Sequence, residues 1–169
     1  MQPMERHLTV SGFVVHEGKV ALHWHRKNQL WLPAGGHIEE GEDPVEAVLR
    51  EIKEEFDLDA EVVPTSPRVP FSEGPREIEP PYTILNFAVA DNHEHVDLIY
   101  FCRVVSGYPG CCHDIENPIE WVDEAVLRED DGLPLVLGSP PIPWPPDVRA
   151  LGLEAIRVVT EYETAGAKA

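Results

Sequence analysis

The chain predicts an α/β fold on three observations. Apolar runs with strand-like alternation recur at residues 8–16, 20–25, 82–89 and 96–105. Residues 43–56 and 147–162 instead repeat their apolar positions at helical spacing. Stretches rich in proline and glycine separate these segments, as connections in a layered domain do.

In chain order, the first strand (8–16) meets a Glu17-Gly18 turn and a second strand (20–25), and a short third strand (30–32) follows. Trp31-Leu32-Pro33-Ala34-Gly35-Gly36 reads as an apolar strand end running into a Gly-Gly turn. A helix over 43–56 takes Asp43 as its cap and Pro44 in its first turn, where a missing N–H costs nothing. Val45, Val48, Leu49 and Ile52 form its apolar stripe. Residues 61–63 make a brief strand, and the Pro-rich, charged stretch 66–81 a loop. Two strong strands, 82–89 and 96–105, are joined by Ala90-Asp91-Asn92-His93. A strand end at 118–122 leads to a short helix around 123–128. A second Pro-rich stretch, 132–146, precedes a last helix whose buried stripe is Val148, Leu151, Ala155, Val159 and Tyr162. No internal repeat occurs, and residues 1–169 read as a single domain.

Within the first helix, Glu51, Glu54 and Glu55 fall inside an arc of roughly 100°. Like charges at these spacings repel, so such a stack is either a solvated acidic face or a cradle for a hard divalent cation. A bare carbonyl in the Gly35-Gly36 segment offers a further oxygen ligand. Glu42, eight residues before Arg50, is a natural partner for its guanidinium.

Residues 36–58 resemble the Nudix box, G-x5-E-x7-R-E-U-x-E-E-x-G-U with U bulky and aliphatic. Gly36, Glu42, Arg50, Glu51, Ile52, Glu54, Glu55 and Leu58 match it in register. Asp57 stands where the family has glycine, a position that favours left-handed geometry at a helix end.

The resemblance implies a mixed sheet sandwiched between helices, and metal-dependent hydrolysis of a pyrophosphate bond in a nucleoside diphosphate linked to another moiety. That moiety would be a nucleotide, a nucleotide sugar or a dinucleotide. It also implies Mg²⁺, or Mn²⁺, held by Glu54 and Glu55 with the Gly35 carbonyl. Glu51 would orient or deprotonate water, touching metal as well, and Glu42 with Arg50 would form a structural ion pair. Members often recruit one more acid from outside the box, for which Glu94, Asp97 and Glu116 are the candidates.

Composition narrows the partners. With 13 Lys and Arg against 31 Asp and Glu, the formal net charge is −18, a field that repels polyanions and argues against broad nucleic-acid binding. The first residues lack the apolar region of a signal peptide, and no apolar run is long enough for a membrane span. Cys102, Cys111 and Cys112 form no disulfide framework or C-x-x-C zinc pattern. A cytoplasmic location is the default, and homodimerisation is an expectation from the family alone.

The histidines divide. His93, His95 and Asp97 would share one strand face, either as a second metal site or as a polar strand end bordering the cleft. His37 lies in the box and either touches substrate or sits exposed. His23 and His25 alternate with Leu22 and Trp24, which favours one sheet face over chemistry, and His113 beside Cys111-Cys112 reads as loop.

The signatures that separate Nudix subfamilies are near misses. Pro75 is off register for ADP-ribose hydrolases, and Tyr82 lies too far on for diadenosine polyphosphate hydrolases. Arg68-Val69-Pro70-Phe71-Ser72 lacks the tryptophan of the NADH-hydrolysing W-P-F-P core. Phe71, Tyr82 and Trp144 could stack on a base or simply pack. Arg26, Lys27, Arg68 and Arg76 are the sources of local positive potential. Two classes stay open: an enzyme, or a non-catalytic Nudix domain serving as nucleotide sensor or protein partner. Retention of Glu51, Glu54 and Glu55 favours the enzyme.

Overall fold

A computed structural model describes residues 4–67, 73–107, 118–129 and 131–167. The chain runs β1 (Glu5–His16), β2 (Lys19–His25), β3 (Leu30–Leu32), β4 (Ala34–His37), α1 (Pro44–Phe56), β5 (Asp59–Val62), β6 (Thr83–Ala90), β7 (His93–Ser106), β8 (Ile119–Asp123), α2 (Glu124–Arg128) and α3 (Pro146–Gly166). All eight strands join one mixed sheet with the path β3-β2-β1-β7-β5; β4 pairs with β1, β6 with β7 and β8 with β2. The predicted mixed sheet between helices is what forms.

The sheet's centre is the parallel pair β1 and β7, in register from Glu5↔His93 to Val15↔Arg103. Period-2 alternation sends β1 side chains to opposite faces. Val10 and Val14 join Tyr100, Cys102 and the α1 residues Val48, Ile52 and Phe56 in one core. Phe13 and Val15 join Ile99, Phe101, Leu127 of α2 and Val148, Ala155, Ile156 and Val159 of α3 in the other. The sheet thus has an α1 face and an α3 face.

α1 begins with a capping box: the Asp43 side chain accepts from Val45 N–H and Glu46 N–H, and Glu46 accepts from Asp43 N–H. It ends at Asp57, which adopts the left-handed geometry that the resemblance implies for this position (φ 52°). The helix sits hard on β1, since a Cβ on Gly12 would lie 2.8 Å from both Ile52 Cδ1 and Val48 Cγ2. Removing Ile52 from this contact leaves a void the rigid sheet cannot fill. Ile52→Ala is therefore expected to cost about 2–4 kcal/mol in denaturant unfolding.

Two expectations need correction. Gly35 and Gly36 form no turn: both belong to β4, where Gly35 pairs with Ser11 and Gly36 with Val10. Neither has positive φ. Tyr162, placed in the buried stripe of α3, is 39% exposed, because the helix runs on past the sheet that covers it. The stripe closes instead through Gly152 and Ile156. No helix among the described residues is long and apolar enough to cross a membrane.

Candidate active site

α1 turns Glu51 and Glu55 toward β4, while Glu54 stays largely exposed beside Arg50. Gly36 decides how closely Glu51 approaches: a Cβ there would lie 2.2 Å from Glu51 Oε1, so only glycine admits that carboxylate against the strand. Arg50 fans across the same region. It grips Glu42 through two bonds (Nε to Oε1, 2.7 Å; Nη2 to Oε2, 3.1 Å) and donates to the His37 carbonyl (3.1 Å). Its Nη1 reaches Glu51 Oε1 at 2.8 Å and Glu54 Oε2 at 3.4 Å. The bidentate bond holds the Glu42 carboxyl below its usual range and the guanidinium above its own. Loop, strand and helix are laced together by this one side chain.

Glu55 is differently placed. Its Oε2 accepts the Gly35 N–H at 2.9 Å and lies 3.6 Å from His23 Nε2. Burial, and then the charges of Glu51 and Glu54, raise its carboxyl to about 7 against the lowering effect of the Gly35 N–H. Burial and then His25 lower the His23 ring to about 4. Between those values both groups are neutral, so the contact is not an ion pair even though its geometry would allow one.

A carboxyl raised in the fold stabilises it fully below its unfolded value and loses that contribution as pH rises through 7. Metal-free protein is therefore expected to lose about 2 kcal/mol relative to Glu55→Gln between acid and mildly alkaline pH. His23 acts in the opposite sense, since its stabilisation fades as pH falls below 6.5. Comparing wild type with the variant at each pH, by urea unfolding in EDTA, isolates Glu55. Saturating Mg²⁺ should restore the wild type's alkaline stability.

The structure scatters the remaining candidates. Glu94 stands beside Arg6, which donates to its Oε2 at 2.8 Å and lowers its carboxyl. By strand alternation it lies on the α1 face. Asp97 lies on the α3 face, buried, accepting from Thr9 Oγ1 (2.9 Å) and Ser11 Oγ (2.7 Å). Burial raises its carboxyl, and those two hydroxyls oppose the shift. Tyr82 is also on the α3 face: its hydroxyl donates to Glu154 Oε1 at 2.7 Å and its ring stacks on Phe101. The ring of His37 meets His7 and His95 rather than the acidic helix. Arg68, Phe71 and Glu116, like Cys111, Cys112 and His113, lie outside the described residues.

Sequence reasoning missed His23 as a neighbour of Glu55, reading it as one more sheet residue. It also missed His7, which joins His37, His93 and His95. Neither carries a local signal: packing of α1 on the sheet brings Glu55 to His23, and strand pairing brings His7 to the other histidines.

The NUDIX domain family model matches residues 5–135, well over half of the chain. Among solved structures, the chain is similar to a hydrolase of the NUDIX family from Clostridium perfringens, at 27% identity and TM-score 0.69, covering 92% of this chain and 99% of that one. It also shares its fold with a MutT NUDIX hydrolase from Burkholderia pseudomallei (19% identity, TM-score 0.57, 92% and 98% covered). A NUDIX hydrolase from Nitrosomonas europaea is a further match (16%, TM-score 0.53, 95% and 90%). No curated protein matches the chain significantly. With its box residues running from β4 through the loop and α1 to Leu58, and the family model matching residues 5–135, the chain belongs to the Nudix hydrolases, a family that in general cleaves pyrophosphate bonds.

Proposed function

We propose that this hydrolase cleaves, with a divalent cation, the pyrophosphate bond of a nucleoside diphosphate linked to another moiety. The observation that carries the reading is the seating of Glu51 and Glu55 against the Gly35-Gly36 strand, with Glu54 beside them on α1 and joined to Glu51 through Arg50. The donor set fits Mg²⁺ or Mn²⁺: the ligands are carboxylate oxygens, and one guanidinium faces Glu42, Glu51 and Glu54 together. Glu55, raised to about 7 beside two further carboxylates, has an electrostatic need that a cation would meet.

Glu54 and Glu55, with the Gly35 carbonyl, would hold the cation. Bound there, it would neutralise charge on phosphoryl oxygens and acidify water. Glu51, braced by Arg50 and seated against Gly36, would orient or deprotonate the attacking water. Arg50 and Glu42 fix the loop against the helix and take no proton. Glu94, on the α1 face, is the better placed of the two described acids outside the box.

The test is product release from a panel of nucleoside triphosphates, ADP-ribose, nucleotide sugars, NADH, coenzyme A and dinucleoside polyphosphates, with Mg²⁺ or Mn²⁺. Chromatography would back each phosphatase-coupled assay. Turnover of a diphosphate-linked class that vanishes in Glu54→Gln/Glu55→Gln supports the reading. Turnover that survives the double substitution, or silence across the panel with nucleotide binding retained, overturns it.

A further inference from the structure

At the other end of β1, on the α3 face, three imidazoles converge with no role in the chemistry above. The parallel register sets His7 beside His95, and Glu5 beside His93. Alternation by two then places His7, His93 and His95 on one face, joined by His37 from β4. One ring nitrogen from each of His7, His93 and His95 lies within 4.8 Å of the others, and all three residues are half-buried. His93 Nε2 and His95 Nε2 are shielded from solvent and have no hydrogen-bond partner among the described residues. Shielded polar nitrogens are ordinarily satisfied, so two side by side need an explanation.

We propose that His7, His93 and His95 form a second metal site, built for a borderline transition cation such as Zn²⁺ and separate from the carboxylate site on α1. The donor set makes the distinction. Hard Mg²⁺ takes oxygen ligands, whereas a cluster of imidazoles suits Zn²⁺ and its neighbours. The shielded Nε2 atoms of His93 and His95 then acquire the partner they lack. The surroundings are those of a ligating histidine. Glu5 Oε1 lies 3.0 Å from His7 Nε2, and His37 Nε2 lies 3.1 Å from His7 Nδ1. Both His7 nitrogens are thus engaged, so His7 would exchange one of these contacts for the ion and keep the other, which fixes a ligand's tautomer and orientation. The His7 and His93 rings are 4.7 Å apart and the His93 and His95 rings 5.0 Å, so small side-chain rotations bring three nitrogens into bonding range of one ion. Three ligands leave a position for His37, Glu5 or water.

Occupancy would staple the start of β1 to the start of β7. That is where the sheet is held otherwise by backbone pairing and by the exposed Arg6–Glu94 pair.

The test is calorimetric titration of the untagged full chain with Zn²⁺ in excess Mg²⁺, which keeps the carboxylate site filled. Wild type and Glu54→Gln/Glu55→Gln should each bind one Zn²⁺ per chain at this site. His93→Ala/His95→Ala should bind it at least about 100-fold more weakly, since two ligands are lost. Because the double alanine variant removes half-buried rings, the milder His7→Asn variant is measured beside it, and far-UV circular dichroism checks both folds. A Zn²⁺-induced rise in melting temperature in wild type that is absent from both histidine variants supports the staple. Absence of Zn²⁺ binding in wild type, or binding lost in the glutamine variant and kept in the histidine variants, overturns the proposal.

Discussion

Glu51→Gln is expected to lower kcat/KM at saturating Mg²⁺ by about 10²–10⁴-fold, the range a positioned acid or base contributes. Its melting temperature should stay close to wild type. The amide is nearly isosteric, so it still fits the space that Gly36 leaves open, and its oxygen can still accept from Arg50 Nη1. What is lost is the capacity to take a proton and one formal charge on this face of α1. A purely structural Glu51 would show the reverse: stability would fall while turnover survived. Measuring both quantities on one preparation separates the two roles, and full turnover in the variant would remove Glu51 from the chemistry.

Gly36→Ala should be nearly as damaging for a different reason. The new methyl carbon would sit 2.2 Å from Glu51 Oε1 and 2.6 Å from its Cδ, far inside contact distance. A side chain can swing away where a backbone cannot, so the carboxylate is displaced while the strand survives. Activity should drop by at least about 100-fold, as when a positioned group is moved off its geometry. The stability cost should be about 1–3 kcal/mol. Gly35→Ala supplies the contrast. Its Cβ would meet the Val10 backbone oxygen at 2.4 Å, forcing β4 from β1, so unfolding should dominate that variant. If Gly36→Ala retained wild-type turnover, close seating of Glu51 would not matter to the reaction.

These variants show where the sequence was legible. The acidic triplet could be read because its three residues lie on consecutive turns of one helix, and helical spacing is a local property. The cap at Asp43 and the left-handed Asp57 were legible for the same reason. Gly35-Gly36 was misread because paired glycines usually announce a turn. Here glycine is demanded by what approaches from outside, the Val10 carbonyl on one face and the Glu51 carboxylate on the other. A glycine beside an acidic helix was the available signal, but choosing between bend and close approach required the partner's position. Tyr162 continued an apolar period that the sheet did not extend to cover.

The α3 face was only partly readable. Alternation placed His93, His95 and Asp97 together, and the structure has them so. Nothing local, however, could reveal that Thr9 and Ser11 cradle Asp97, or that His7 completes the imidazole group. Those contacts come from strand pairing across the chain, which composition and periodicity do not encode.

The same pairing governs the order in which the molecule can be made. Each β1–β7 partner pair, from Glu5↔His93 to Val15↔Arg103, joins residues 88 positions apart. At a synthesis rate of about 5–20 residues per second, β1 waits roughly 4–18 s for the strand that completes its hydrogen bonds. During that interval Phe13, Val14 and Val15 have no β7 to cover them, and the acidic helix has been translated before its platform exists. Late closure of long-range parallel strands slows folding and prolongs exposure of apolar edges. A chain this acidic repels copies of itself, which opposes association through apolar edges that late closure leaves uncovered.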